Sequence, residues 1–100
     1  MINLYDESAW TDAPGYAEGA KQKILMEGNG VKTFLIWFPK GKDLAAHNHA
    51  HHEQHFILKG SYVSEGKTWP AGTVRVFKPG EVHGPFETAE EVVILVFWHP

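Results

Sequence analysis

The chain has 100 residues, 43% hydrophobic and 13% aromatic, with no cysteine, which suits one domain with one packed core and excludes disulfides and thiolate metal ligands. Its net charge of −3 and its nine scattered basic residues provide no basic stripe, so nucleic-acid binding is excluded. The longest apolar run, 92–98, is far shorter than the roughly 20 residues of a membrane span, and the N-terminus lacks the apolar segment of a signal peptide, so we expect a cytoplasmic protein without membrane contact.

The first thirty residues are polar, with glycine and proline scattered among them, and form the less regular part of the predicted domain. Within them, residues 17–25 are compatible with either one helical turn or a strand. Residues 31–38, VKTFLIWF, are β-branched and aromatic and are followed by Pro39, so they predict the first clear strand.

The second half of the chain contains further short apolar runs. In residues 55–66, HFILKGSYVSEG, two runs are divided by Lys59 and Gly60, which predicts a hairpin with its turn there. Residues 73–77, TVRVF, lie between glycine-containing turns, and VVILVFW follows at 92–98. Short strands with a turn about every ten residues predict an all-β sandwich or barrel.

Five of the seven histidines lie within nine residues, HNHAHHEQH at 47–55. On a strand, His47 and His49 would point to the same face with their Cα atoms about 6.6 Å apart, close enough to share one ion. Glu53 would lie about 13 Å beyond His49 on a straight strand. It can reach the same ion only if residues 50–52 turn the chain.

Other interpretations of these nine residues compete with a metal site. A helix would place His47, His51 and His55 on one face, although strand-forming residues follow directly. The zinc-protease pattern HExxH fails, because Phe56 occupies the position of its second histidine. An exposed, solvated histidine-rich loop is the third interpretation, and the nine residues alone do not decide between it and a metal site.

The flanking residues complete a longer pattern. The spacing of Gly41, His47, His49, Glu53 and Gly60 matches G-x5-H-x-H-x3-E-x6-G at every fixed position. This pattern is the first signature of the cupin superfamily, which the chain therefore resembles.

The second cupin signature, G-x5-P-x-G-x2-H-x3-N, is matched at Gly72, Gly80 and His83. The chain departs from it where Lys78 stands at the proline position and where Glu87 replaces the asparagine. Neither position is a usual metal ligand, so the departures leave the predicted site intact.

The stretches 33–41 and 60–97 resemble, more narrowly, cupins of the ChrR type. That group includes the cupin domain of zinc-binding anti-sigma factors and, similar to them, the acetylacetone-cleaving dioxygenases. The resemblance implies a cupin double-stranded β-helix, a jelly-roll barrel of six or more short antiparallel strands. It further implies a single domain over 1–100, with both motifs in 31–100, and a homodimer.

By position, the resemblance implies that the metal ligands are His47, His49, Glu53 and His83. Such a set suits one divalent transition metal per chain, with Fe(II) favoured and Zn, Ni, Mn or Cu as alternatives. In the diketone-cleaving relatives three histidines hold the iron and the carboxylate does not. Glu53 is therefore either a ligand or a group that orients a ligand or a bound water.

Some side chains near the motifs are candidates for further roles. His55 shares the strand parity of the motif glutamate and should face the barrel interior, either as a base beside the metal or as a buried histidine satisfied by a neighbour. Arg75 either clamps a substrate carboxylate or pairs with an acid at the rim. We expect His51 and His52 to face solvent in a turn, and His99 to lie on the surface.

The aromatic side chains exceed what a core of this size requires. Some are expected to line a pocket for an apolar or planar small-molecule substrate, and others to cover a dimer face.

The favoured function is that of a mononuclear Fe(II)-type dioxygenase acting on a small dicarbonyl, enol or aromatic compound, with Glu53 and His55 as the candidate catalytic residues. One alternative is a non-oxidative metal-dependent isomerase, cyclase or lyase that uses the same site. The other is a non-catalytic module that senses a metal or a small ligand.

Overall fold

The β-branched and aromatic runs form antiparallel strands in a computed structural model that describes residue 6 and residues 9–100. In this part of the chain all nine regular elements are strands: β1 (Thr11–Asp12), β2 (Lys21–Gly28), β3 (Val31–Phe38), β4 (Asp43–Leu44), β5 (His52–Ser64), β6 (Lys67–Pro70), β7 (Val74–Phe77), β8 (Phe86–Glu87) and β9 (Val92–His99). None of the described residues forms a helix long and apolar enough to cross a membrane.

The strands form one curled sheet in the order β1-β2-β3-β9-β5-β8-β4, with β6 and β7 also paired to β5. All of the pairings are antiparallel. The first half of β5 lies between β7 and β9, and its second half pairs with β6 and β8. This one long strand therefore joins the two sides of the predicted barrel.

The predicted strand at 31–38 is confirmed as β3 with the same bounds. The run 73–77 is confirmed as β7, which begins one residue later, and the run 92–98 as β9, which ends one residue later. Residues 21–25 belong to β2, so the strand alternative for 17–25 is confirmed over that part and the helical turn is wrong. The strand β2 lies before residue 31 and pairs with β3 over most of its length.

The predicted hairpin at Lys59 and Gly60 is wrong, because β5 continues through both residues. A register shift against β9 lies between Ile57 and Lys59, and Gly60 has a φ of +74°. The turn instead falls at Glu65 and Gly66, whose φ values of 56° and 73° suit a two-residue hairpin between β5 and β6.

Period-two alternation decides which side chains of β5 enter the barrel. Residues 53, 55 and 57 are buried while their neighbours are partly exposed, so Glu53, His55 and Ile57 point inward. Around them the apolar core consists of Ala13, Ala20, Phe34, Ile36, Phe38, Ile57, Tyr62, Phe86, Val92, Ile94 and Val96. The inward row of β5 thus places two titratable side chains among apolar ones.

Gly60 is required by a close backbone approach from the chain just before β9. A Cβ at this position would lie 1.9 Å from the carbonyl oxygen of Glu91. We predict that Gly60→Ala lowers the free energy of unfolding by at least about 2 kcal/mol in urea denaturation, because either the bulge or β9 must shift.

Gly66→Ala is the matched control. Its φ of +73° is similar, but a Cβ there meets no atom within 4 Å, so only the backbone cost of about 1 kcal/mol is expected. Equal losses in the two variants would contradict the role assigned to the close approach.

Candidate metal centre

Four potential ligand residues converge at one end of the barrel interior. His47 and His49 come from the segment between β4 and β5, Glu53 from β5, and His83 from the segment between β7 and β8. One nitrogen or oxygen atom from each lies within 4.8 Å of the other three. Two ligand atoms each about 2.1 Å from one ion can be at most about 4.2 Å apart, so the cluster would need to contract by only about half an ångström.

Backbone pairing brings the two motifs together. His47 and His83 form an antiparallel bridge, in which His47 N–H donates to the His83 carbonyl at 2.9 Å and the reverse bond measures 2.8 Å. The Gly80 N–H donates to the His49 carbonyl at 2.7 Å. A histidine from each motif is therefore placed by main-chain bonds rather than by side-chain contacts alone.

The turn that Glu53 requires is present. The chain bends at residues 50 and 51, and β5 begins at His52. His47 and His49 were expected on a strand, but they do not lie on a regular one. Within residues 45–51, the bridge at His47 is the only β-type backbone pairing. The helical interpretation of 47–55 is wrong, since this segment is a bridge, a bend and the start of a strand.

Glu53 is 3% exposed and receives hydrogen bonds on both carboxylate oxygens. The indole N–H of Trp98 donates to Oε1, and His55 Nε2 lies 2.7 Å from Oε2. His83 Nε2 is 3.1 Å from Oε2, and His49 Nε2 is 3.4 Å from Oε1. Burial raises the pKa of Glu53, but the hydrogen bonds from His55 and His83 outweigh it and hold that pKa well below its ordinary value.

The histidine nitrogens are directed by their second partners. His47 Nδ1 donates to the Ala45 carbonyl at 3.1 Å, because a carbonyl oxygen only accepts, and this leaves a lone pair on Nε2. That Nε2 lies 2.9 Å from Nε2 of His83. The two nitrogens can share either a proton or a cation, and with the Glu53 carboxylate they form a donor set that suits a divalent cation.

His49 and His83 differ in what surrounds them. Burial lowers the pKa of His49, while the charge of Glu53 acts in the opposite direction. The net lowering favours the neutral imidazole that a metal requires. His83 is 1% exposed, and its buried Nδ1 has no hydrogen-bond partner within the described part of the chain.

His55 faces the interior, as its parity predicts, and is 7% exposed. Besides Glu53, its ring contacts the Tyr62 hydroxyl, 3.2 Å from Nδ1. Burial lowers the pKa of His55, against the raising effect of Glu53. The side chain is thus both a lining group of the interior cavity and a histidine satisfied by neighbours.

The expectation for His51, His52 and His99 holds in part: all three side chains are partly exposed, but His52 belongs to β5 and not to the turn. His51 does lie in the bend, but its ring stacks on His49 at 4.9 Å and packs on Trp98 at 4.5 Å. His52 begins β5 and stacks on its cross-strand partner His99 at 4.9 Å. Stacking between rings therefore removes these side chains from full solvent exposure.

An internal cavity of about 40 Å³ adjoins the cluster, lined by Tyr16, Ile36, Phe38, Leu44, His47, His49, Glu53, His55, Tyr62, Phe86, Thr88, Val92, Ile94 and Val96. A more open groove of about 540 Å³ lies beside it. Four side chains line both spaces: Tyr16, Leu44, His47 and His49. The candidate metal centre thus lies between an enclosed apolar space and an open one.

Arg75 is buried and does not line the cavity. Its Nη2 lies 3.3 Å from Oε2 of Glu65, and its guanidinium carbon lies 4.3 Å from the ring centroid of Trp69. Of its two predicted roles, the structure supports pairing with an acid.

Trp98, Tyr62 and Tyr16 lie outside the sequence motifs but are close to the cluster or to its partners. Trp98 is the cross-strand neighbour of Glu53, a relation that depends on the β5–β9 register. Burial, together with the charge of Glu53, raises the pKa of Tyr16 to about 12, so its phenol stays protonated at the mouth of the cavity. No spacing rule in the sequence marks these three residues.

We predict that Trp98→Phe lowers the free energy of unfolding of the metal-free protein by about 1.5–3 kcal/mol, because the buried carboxylate loses a charge-assisted donor. Trp69→Phe is the control, because the indole N–H of Trp69 donates to the neutral carbonyl of Ser64 at a distance of 3.0 Å. Loss of this bond should lower the free energy of unfolding by about 1 kcal/mol. Equilibrium urea unfolding measures both. A smaller loss for Trp98→Phe than for Trp69→Phe would contradict the assigned role.

Comparison with solved structures agrees with this architecture. An acetylacetone dioxygenase from Acinetobacter johnsonii matches with a TM-score of 0.83 and 18% identity, over 99% of this chain and 73% of that one. An RmlC-like cupin from Shewanella frigidimarina matches with a TM-score of 0.80 and 21% identity, over 99% and 89%. At these identities the likeness establishes the fold.

A third match is a chain in the crystal structure of Rhodobacter sphaeroides SigE in complex with the anti-sigma ChrR. Its TM-score is 0.75 and its identity 23%, over 94% of this chain but only 51% of that one, so this chain spans about half its length. Among curated proteins, none matches this chain in sequence.

These likenesses confirm the predicted all-β cupin barrel. The family profile described as the ChrR cupin-like domain matches residues 2–100, which is nearly the whole sequence. The chain therefore belongs to the ChrR cupin-like family.

Proposed function

We propose that this protein binds one divalent transition metal through His47, His49 and His83, with Glu53 as a fourth ligand or as the group that orients the others. The observation that carries the proposal is the convergence of three imidazole nitrogens and one carboxylate oxygen within 4.8 Å beside an enclosed cavity. A set of nitrogen and oxygen ligands without thiolate suits Fe(II) and its neighbours in the first transition row.

We further propose that the metal centre belongs to a dioxygenase that acts on a small dicarbonyl, enol or aromatic compound. A bound metal would supply Lewis-acid polarisation of substrate oxygen atoms and access to O₂ chemistry. The structural likeness to an acetylacetone dioxygenase supports the reaction class, and Fe(II) is the favoured metal.

The two spaces beside the cluster suit a small substrate. Small-molecule pockets commonly measure about 300–1,000 Å³, so the groove of about 540 Å³ is large enough and the cavity of about 40 Å³ is not. Substrate would lie in the groove against His47 and His49. Apolar side chains around the inner cavity, with the phenol of Tyr16 at its mouth, would keep water away from the reacting atoms.

The residues around the cluster would hold protons at defined atoms. His55 donates to Glu53 and keeps that carboxylate ionised, and the low pKa of Glu53 makes it a weak base. We therefore assign Glu53 to orientation or ligation rather than to proton abstraction. His55, the other candidate catalytic residue, lies at the cavity wall and would act through Glu53, because both of its ring nitrogens have hydrogen-bond partners.

We predict about one metal ion per chain in protein purified without a histidine tag or a nickel column, and its loss in the double variant His47→Ala/His83→Ala. The control is His52→Ala/His99→Ala, which removes two histidines that stack on each other outside the cluster. Elemental analysis measures the content. Metal retained by the first variant, or lost from both, would contradict the proposed ligand set.

We predict that the iron-loaded protein consumes O₂ with a member of a panel of β-diketones, enols and catechols, and that the zinc-loaded protein does not. An oxygen electrode measures the rate, and the double variant His47→Ala/His83→Ala, treated with the same iron solution, provides the background. Equal turnover without O₂, or with zinc, would replace the dioxygenase with a non-oxidative isomerase, cyclase or lyase.

One observation favours a second candidate, a non-catalytic metal or small-ligand sensor. The innermost cavity is too small for a substrate, and both carboxylate oxygens of Glu53 already accept hydrogen bonds, which leaves this group less free to take part in a reaction. This candidate predicts tight zinc binding and no turnover across the whole panel.

The homodimer remains a prediction. Three exposed valines, Val74, Val76 and Val82, are candidates for its contact surface.

A further inference from the structure

A line of buried polar groups leads away from Glu53 on the side of β7. His55 Nε2 lies 2.7 Å from Glu53 Oε2, and His55 Nδ1 lies 3.2 Å from the Tyr62 hydroxyl. Arg75 Nη1 lies 3.3 Å from the same hydroxyl, and Arg75 Nη2 lies 3.3 Å from the carboxylate of Glu65 at the surface. The candidate metal centre is thus linked to the surface by four consecutive polar contacts.

We propose that Tyr62 and Arg75 are positioning residues, which fix the ring of His55 with Nδ1 as acceptor and Nε2 as donor and so hold the carboxylate of Glu53 in one orientation. The importance of this for metal binding rests on the proposed function. The direction of the hydrogen bonds does not depend on the proposed function, because it follows from the donor and acceptor chemistry of the groups.

Arg75 sets the direction of the chain, since a guanidinium has donors and no acceptor. Its N–H therefore donates to the Tyr62 oxygen. The hydroxyl hydrogen of Tyr62 then points to its other partner, Nδ1 of His55, which must accept. With Nδ1 as acceptor, the ring proton of a neutral His55 is on Nε2, where it donates to Glu53.

The opposite direction would leave groups unsatisfied. If His55 Nδ1–H donated to Tyr62, the hydroxyl oxygen would receive two donors and its own hydrogen would have no acceptor among the described residues. Tyr62 is 1% exposed, and the cavity that it lines is walled mainly by apolar side chains, so neither the surface nor the cavity wall offers one. An unsatisfied buried hydroxyl costs about 1–3 kcal/mol, which favours the proposed direction.

Arg75 is held firmly enough to act in this way. It is the cross-strand partner of His55 in the β5–β7 ladder, so both side chains enter the interior side by side. Its guanidinium carbon lies 4.3 Å from the ring centroid of Trp69 and 4.9 Å from that of Phe77. The cation also polarises the Tyr62 hydroxyl and makes it a stronger donor to His55.

The test measures imidazole ¹⁵N chemical shifts by NMR in metal-free, uniformly labelled protein, with His55 assigned by loss of its signals in His55→Gln. The wild type should show a hydrogen-bonded acceptor at Nδ1 and a protonated Nε2. Tyr62→Phe should move the Nδ1 signal towards that of a free acceptor nitrogen, and Arg75→Met should move it part of the way.

Glu65→Gln is the control, because it removes the surface ion pair and leaves the bond from Arg75 to Tyr62 in place. Its Nδ1 signal should match the wild type. Tyr62→Phe deletes one oxygen atom and keeps the buried ring, so it carries the test even if Arg75→Met does not fold.

The second measurement is zinc chloride titration by calorimetry. Tyr62→Phe and Arg75→Met should weaken zinc binding about tenfold or more, while Glu65→Gln should not. A protonated Nδ1 in the wild type, or an unchanged Nδ1 signal in Tyr62→Phe, would overturn the proposed positioning. Absence of zinc binding by the wild type would instead refute the metal site and leave the NMR result to decide the hydrogen-bond direction.

Discussion

The buried carboxylate of Glu53 is the constraint around which the interior is arranged. An ionised group inside a barrel loses its hydration, at a cost of several kcal/mol, and remains charged only if donors replace the water. Here the donors come from β9, from β5 itself and from the segment after β7, through Trp98, His55 and His83. Because each donor belongs to a different part of the sheet, satisfying this one charge requires the whole strand arrangement to be correct.

The excess of aromatic side chains follows from the same constraint. The rings of Phe77 and Phe86 pack against His55 and His83, with ring centroids 4.4–6.1 Å apart. Such rings keep water from the cluster without offering competing acceptors. In the resulting low-dielectric space, hydrogen bonds to the carboxylate are stronger than they would be in water. Dry packing and polar satisfaction therefore depend on each other.

How far the sequence predicts this site depends on whether a residue is marked by local spacing or by distant pairing. The proposed ligands His47, His49 and His83 were predictable because motif spacing includes the turns that bring them together. Trp98 was not, since its pairing with Glu53 follows from the β5–β9 register, and a shift of one residue would turn its side chain to the other face.

The hairpin error has a similar cause. Gly60 separates two apolar runs, as a turn glycine would, and only the distant backbone of Glu91 explains its conformation. Alternation of apolar and polar residues therefore predicted the strands and the barrel. It did not predict which of two glycines, Gly60 or Gly66, reverses the chain. That difference lies in non-local contacts, which a local pattern does not contain.

The two sides of the candidate centre differ in a way that bears on how it would work. On one side, His47 and His49 border an open groove together with Tyr16 and Leu44. On the other side, a chain of hydrogen bonds and one ion pair connects Glu53 through buried polar side chains to Glu65 at the surface. Ligand exchange needs the open side, and a fixed ligand geometry needs the closed one. Because Glu53 and His55 belong to the same strand, β5, and neither lines the groove, groove residues that are not proposed ligands can vary without loosening this closed side.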